Sequence, residues 1–143
     1  MTDVFDRKTR SRIMSNIRGK DTKPEIEVRK ALHKRGFRYR LHVKDLPGRP
    51  DIVFPRYNVA LFVNGCFWHR HPGCRHASTP SSNEKFWNDK FERNVARDRR
   101  NKAMLETAGF RVAVIWECET RGDRLDPTIE RMTRWMTGVE DAR

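Results

Sequence analysis

Residues 58–69 read Asn58-Val59-Ala60-Leu61-Phe62-Val63-Asn64-Gly65-Cys66-Phe67-Trp68-His69, and the first half of this stretch decides the fold. Val59 to Val63 is an apolar run without alternation, which predicts a central strand covered on both faces. Upstream, Leu46-Pro47-Gly48-Arg49-Pro50 is a turn that delivers a second strand, Asp51-Ile52-Val53-Phe54. Pro55 to Asn58 makes the turn between the two. Phe37, Tyr39, Leu41 and Val43 alternate with polar residues, predicting a further, half-buried strand. Thr22-Lys23-Pro24-Glu25 matches a capping box with proline in the first turn, and the helix after it buries Val28, Ala31 and Leu32 before Gly36. Residues 7–18 read as a short basic helix with Ile13, Met14 and Ile17 on one face. Downstream, residues 65–82 form a loop rich in His, Cys, Pro and Ser, and a long helix spans roughly residues 83–108. Phe110 to Trp116 reads as another buried strand, and Pro127 to Met136 as a last helix. The order α-α-β-β-β-α-β-α predicts an α/β fold, a mixed sheet flanked by helices.

At 143 residues the chain fits one domain and can bury a core without disulfides. The longest apolar runs have five residues, too short to span a bilayer, and the polar N-terminus does not read as a signal peptide. A soluble, intracellular, basic protein is expected. The net charge is +12, and residues 1–40 alone carry +8, against +3 for residues 41–80 and +1 for the remainder. An excess so placed favours a polyanion through counterion release, which points to nucleic acid.

Cys66, His71 and Cys74 fall in one loop as C-x4-H-x2-C, and Cys118 lies just past the strand ending at Trp116. Three thiolates and an imidazole make a closed tetrahedral set suited to structural zinc. His76 is an alternative ligand to His71, and His69 a weaker one. The competing reading is three unrelated core cysteines.

Asp51 opens one strand, and the next ends at Val63-Asn64. One carboxylate beside strand-end carbonyls is enough for Mg²⁺, which keeps waters and phosphate oxygens as its other ligands. His69 is a candidate general base, and Glu25 a candidate to orient that base or the attacking water. Against this, Asp51 after a proline and Glu25 in a capping box both have ordinary structural explanations. Phe67, Trp68, Phe86 and Trp87 stand among basic residues, the pattern for stacking on bases. Of the pair opening the long helix, Phe86 is expected to be the buried one.

In order along the chain stand Met14-Ser15-Asn16-Ile17-Arg18, Asp21-Thr22-Lys23-Pro24-Glu25, Pro47-Gly48-Arg49-Pro50-Asp51, Gly65-Cys66-Phe67-Trp68-His69 and Trp116-Glu117-Cys118-Glu119. Phe86-Trp87 is followed by Lys90, Asn94, Arg97 and Asp98. Together these resemble the very short patch repair (Vsr) DNA mismatch endonucleases of bacteria, over nearly the whole chain.

The resemblance implies a restriction-endonuclease-like single domain, with a basic N-terminal helical arm over residues 1–20 and the endonuclease domain over 21–143. It implies a Mg²⁺-dependent nick 5′ to the thymine of a T:G mismatch left by deaminated 5-methylcytosine. Asp51 and the backbone carbonyl of Val63 would hold Mg²⁺, with His69 as base and Glu25 in support. Cys66, His71, Cys74 and Cys118 match the structural zinc site. Phe67, Trp68 and Trp87 match an aromatic wedge entering from the major groove, Met14 presses from the minor groove, and Lys90 and Asn94 lie near the mismatched pair. Implied partners are double-stranded DNA with a T:G mismatch and mismatch-repair proteins such as MutL. The protein is expected to be monomeric, cytoplasmic and nucleoid-associated. Two departures stand out. Asn64 occupies a site where relatives tend to carry His or Asp; its amide can orient a water or phosphate. The His71-x2-Cys74 spacing is one residue longer than in some relatives, which keeps His76 open. The rival readings are a zinc-stabilised DNA-binding module without catalysis and a related nuclease of different specificity.

Overall fold

A four-stranded sheet in the order β1-β2-β3-β4 organises the computed structural model, which describes residues 22–138. The expected basic helix 7–18, with Met14, and the arm of residues 1–20 lie outside the described residues. Helix α1 spans Lys23–Lys34, β1 Arg40–Leu41, β2 Ile52–Phe54 and β3 Val59–Asn64. Helix α2 spans Glu84–Thr107, β4 Arg111–Trp116 and α3 Leu125–Thr137. β1–β2 and β2–β3 pair antiparallel, while β3–β4 is parallel, its crossover made by α2.

Each boundary has a local cause. The Thr22 side chain accepts the Glu25 N–H at 3.3 Å, capping α1 just before Pro24. Asn58 takes the left-handed conformation that lets the 3-10 turn Pro55–Tyr57 reverse into β3. Gly138 closes α3 at φ +83°, where glycine has no Cβ penalty. The apolar run Val59–Val63 is a central strand as expected, with Val59, Ala60 and Leu61 fully buried.

Val28 and Leu32 of α1, and Ile129, Met132 and Met136 of α3, pack on Ile52, Phe54, Val59, Leu61 and Ile115 of the sheet. By the two-residue period of a strand, Phe62 and Asn64 point to the opposite face, where they line a cleft with Val95, Asp98 and Lys102 of α2.

Three expectations need correcting. The alternating segment 37–43 forms a strand only at Arg40–Leu41, and Leu41 is exposed. Its apolar pattern has another cause: Phe37 and Tyr39 leave the strand and meet Phe54 edge-on, with centroids 6.2 and 6.0 Å away. His42 then stops the strand with φ +50°. The segment 110–116 is an edge strand rather than a buried one: only Ile115 is buried, and Val114 is exposed. Finally, Trp87 is 5 % exposed and Phe86 54 %, reversing the expected assignment. Trp87, Phe91 and Asn94 share the inward face of α2 at i, i+4, i+7, which turns Phe86 outward.

Gly48, in the turn that delivers Asp51, has φ +75°, and a Cβ there would stand 2.9 Å from Asn101 Nδ2 on α2. Gly36 also has positive φ, +92°, but open space around it. Gly48→Ala should therefore cost more than Gly36→Ala, about 2–3 kcal/mol against about 1 kcal/mol. Urea unfolding of the two variants checks this; equal losses would mean that the close approach of turn and helix contributes nothing.

Candidate active site and metal centre

Asp51 stands at the start of β2, where the Ile52↔Leu61 pairing is the last in register with β3. Its Oδ2 accepts the Val63 N–H at 2.8 Å. A strand residue's N–H and C=O leave the backbone on the same edge, so the Val63 carbonyl opens toward the same carboxylate. Burial pushes the Asp51 carboxyl up from 3.8 to about 6; the Val63 bond opposes the rise, and the Glu25 charge adds to it.

The carboxylate faces a cleft of about 840 Å³ whose lining includes Glu25, His42, Asn64, Trp68, His69 and Glu117. Two imidazoles line it, each paired with a carboxylate. His69 Nδ1 lies 2.7 Å from Asp98 Oδ2 of α2. A carboxylate can only accept, so the proton sits on Nδ1 and the Nε2 lone pair is left as the basic atom. Glu25 is 1 % exposed, with Oε2 2.5 Å from His42 Nε2 and 3.3 Å from Arg29 Nη1.

Aromatic rings gather beside the cleft. Phe67 meets Trp68, Trp87 and Phe91 edge-on at centroid distances of 4.9, 5.8 and 5.1 Å. Trp87 and Phe91 are buried, while Phe67 and Trp68 are partly exposed. The Lys90 ammonium lies 5.8 Å from the Trp68 ring centroid. Asn94 is nearly buried, its Nδ2 donating to the Trp68 carbonyl at 3.1 Å while Arg97 donates to its Oδ1.

Cys66, His71, Cys74 and Cys118 offer ligand atoms that all lie within 4.8 Å of one another, and His76 is not in the group. His71 Nδ1 is 3.6 Å from Cys66 Sγ and 3.5 Å from Cys118 Sγ. A tetrahedron with bonds of about 2.3 Å to sulfur and 2.0–2.1 Å to nitrogen has S···N edges of about 3.5 Å, so the set fits a metal ion such as zinc. The His71 ring is stacked on Trp116, centroids 4.3 Å apart and planes 9° apart, which fixes its orientation. Burial pushes the Cys66 thiol up to about 12, so a cation among the sulfurs is what makes a thiolate favourable at neutral pH.

Arg70 locks the rest of the loop. It donates to the carbonyls of Phe67, Ala77 and Ser78 and lies 3.9 Å from the Phe91 ring centroid. His42, Asp98 and Arg70 were given no role from the sequence. Asp98 carried a signal, since it closes the motif that begins at Phe86-Trp87; His42 and Arg70 carried none beyond their residue types.

A family profile described as DNA mismatch endonuclease Vsr matches residues 2–75. The type II nicking enzyme V.XorIIP of Xanthomonas oryzae pv. oryzae is 52 % identical over 119 residues, 83 % of this chain and 87 % of that protein. V.NmeAIP of Neisseria meningitidis is 43 % identical over 99 % of both chains. The DNA mismatch endonuclease Vsr of Escherichia coli K12 is 39 % identical over 96 % of this chain and 90 % of its own length. Among the described residues, no helix is long and apolar enough to cross a membrane.

The raised Asp51 carboxyl gives a pH test. The folded state binds this proton more tightly than the unfolded chain, so its contribution to stability is full below about pH 4 and lost as pH rises through about 6. In buffer without divalent cations, Asp51→Asn should be more stable than wild type by on the order of 2 kcal/mol at about pH 7.5. The gap should close below about pH 4. Urea titrations across this range check it, and a gap independent of pH would contradict the desolvated carboxyl.

Proposed function

The chain belongs to the Vsr family of DNA mismatch endonucleases, and from that premise we propose that it nicks one strand 5′ to the thymine of a T:G mismatch by Mg²⁺-dependent hydrolysis. The observation that carries the reading is the Asp51 carboxylate bonded to Val63 N–H, with His69, held by Asp98, lining the same cleft. The mixed sheet with its active carboxylate at a strand start is then the core of a restriction-endonuclease-like fold.

Asp51 and the Val63 carbonyl would hold Mg²⁺, which when bound supplies charge stabilisation at the cleaved phosphate. His69 Nε2 takes the proton of the attacking water, and Asp98 holds Nδ1–H so that the ring presents the correct nitrogen. Glu25 and Asn64 orient the water and phosphate at the cleft wall. Phe67 and Trp68 form the edge that enters the base stack, resting on Trp87, with Lys90 and Asn94 beside the mismatched pair and Met14 on the minor-groove side. A T:G wobble stacks poorly, so opening it costs less than opening a matched pair. The Cys66-His71-Cys74-Cys118 set holds a structural zinc: with four protein ligands it leaves no position for a reactive water. Action as a monomer in the bacterial cytoplasm, with mismatch-repair proteins such as MutL as partners, completes the reading and rests on family membership.

The test is a nicking assay on two duplexes, one with T:G in a CT(A/T)GG context and one fully matched, with and without Mg²⁺. Wild type should nick only the mismatched duplex, 5′ to the thymine. Asp51→Ala should lose on the order of 10³-fold or more in rate while still binding the duplex. Binding without nicking by wild type would leave a zinc-stabilised DNA-binding module. Trp68→Ala should reduce the preference for T:G over matched DNA, and unchanged discrimination would remove Trp68 from the wedge. Elemental analysis should give one zinc per chain, and Cys118→Ser should lose it; wild type without stoichiometric zinc would contradict the metal assignment.

A further inference from the structure

His42 touches Asp51 and Glu25, two acidic residues of the cleft, by different means. Its backbone N–H donates to the Asp51 carbonyl at 3.1 Å, extending the β1–β2 ladder one residue beyond Leu41↔Ile52. Its ring reaches the other way, placing Nε2 2.5 Å from Glu25 Oε2 on α1. Glu25 accepts, so Nε2 carries the proton.

Its backbone is held in the left-handed region, φ +50°, which is strained for a residue with a Cβ. Such a conformation persists where surrounding contacts over-determine it. Here those contacts are the ladder bond on one side and the Glu25 carboxylate on the other. Arg29 reaches the same Oε2 from within α1, four residues on, so it moves with Glu25. The His42 contact is different in kind, because it ties the helix carboxylate to the sheet.

We propose that His42 is a positioning residue for the nicking reaction: it fixes the Glu25 carboxylate relative to Asp51 across the α1–sheet junction. This rests on the reading of the cleft as the nicking site. A carboxylate displaced by about 1 Å at such a site is worth on the order of 10²-fold in rate. The effect should fall on kcat, because His42 acts through Glu25 in the transition state.

The test compares His42→Asn, His42→Gln and His42→Leu on whichever duplex the wild-type protein nicks, so that a failure of T:G specificity leaves it intact. Asn accepts the left-handed backbone and keeps the ladder N–H, but its side chain is too short to reach Glu25. Gln restores reach and a neutral donor, and Leu keeps bulk without a donor. We expect His42→Asn and His42→Leu to lower kcat 10- to 100-fold at unchanged KM, with His42→Gln recovering most of the loss. On a Glu25→Gln background, His42→Asn should lower kcat by less than 3-fold. Should His42→Asn fail to fold, the comparison of His42→Gln with His42→Leu carries the same contrast. Equal kcat in the Gln and Leu variants, a folded His42→Asn with wild-type kcat, a change confined to KM, or full additivity with Glu25→Gln would each overturn the proposal. A wild-type chain that nicks no duplex would overturn both it and the reading of the cleft.

Discussion

The 2.8 Å bond from Val63 N–H to Asp51 Oδ2 is the constraint on which the cleft depends. Beyond the Ile52↔Leu61 pair, the ladder between β2 and β3 would leave a strand-end N–H to be satisfied by solvent. A side-chain carboxylate takes that place, so the sheet itself aims the acid. The cost is a carboxyl drawn out of water, visible in its rise to about 6. Stability is given up locally to hold a negative group where a cation can use it, a pattern expected of functional sites.

Around this acid the protein builds two imidazole–carboxylate pairs of different character. The His69–Asp98 pair joins the loop after β3 to α2 and is about one-third exposed at each side chain. The His42–Glu25 pair joins β1 to α1, its carboxylate almost wholly excluded from solvent. A pair open to solvent can exchange a proton with a reacting water. A pair whose carboxylate is buried in the cleft wall can hold geometry. The same residue types thus serve different ends according to what covers them.

Much of this was legible in the sequence, and the misses have physical reasons. The unbroken apolar run fixed Val59–Val63 as the central strand, and the Thr22–Glu25 spacing fixed the start of α1. The cysteine and histidine spacing predicted a cluster that the fold brings together. The alternation at 37–43 does not make a full strand, because residues can face a core without a strand partner, as Phe37 and Tyr39 do against Phe54. Trp87 rather than Phe86 turns inward because a helix face is decided by what it meets, here Phe67 in the loop after β3, which the helix's own sequence does not contain. Asp98 and His42 were given no role since their partners lie 29 and 17 residues away. Long-range pairing of polar groups leaves no periodicity to read.

The Cys/His cluster has a topological consequence. Cys66 follows β3 and Cys118 follows β4, 52 residues later, so an ion shared by them closes a loop that contains the whole of α2. The helix bearing Trp87, Asn94 and Asp98 is then tethered at both ends, and the unfolded chain loses the freedom of that loop, as it would with a disulfide of similar span. Such a cross-link would join the ends of two strands that are already parallel neighbours, and so would restrain unfolding without bending the sheet. A reducing compartment denies a chain the disulfide route to this restraint; a thiolate-bound ion supplies it there.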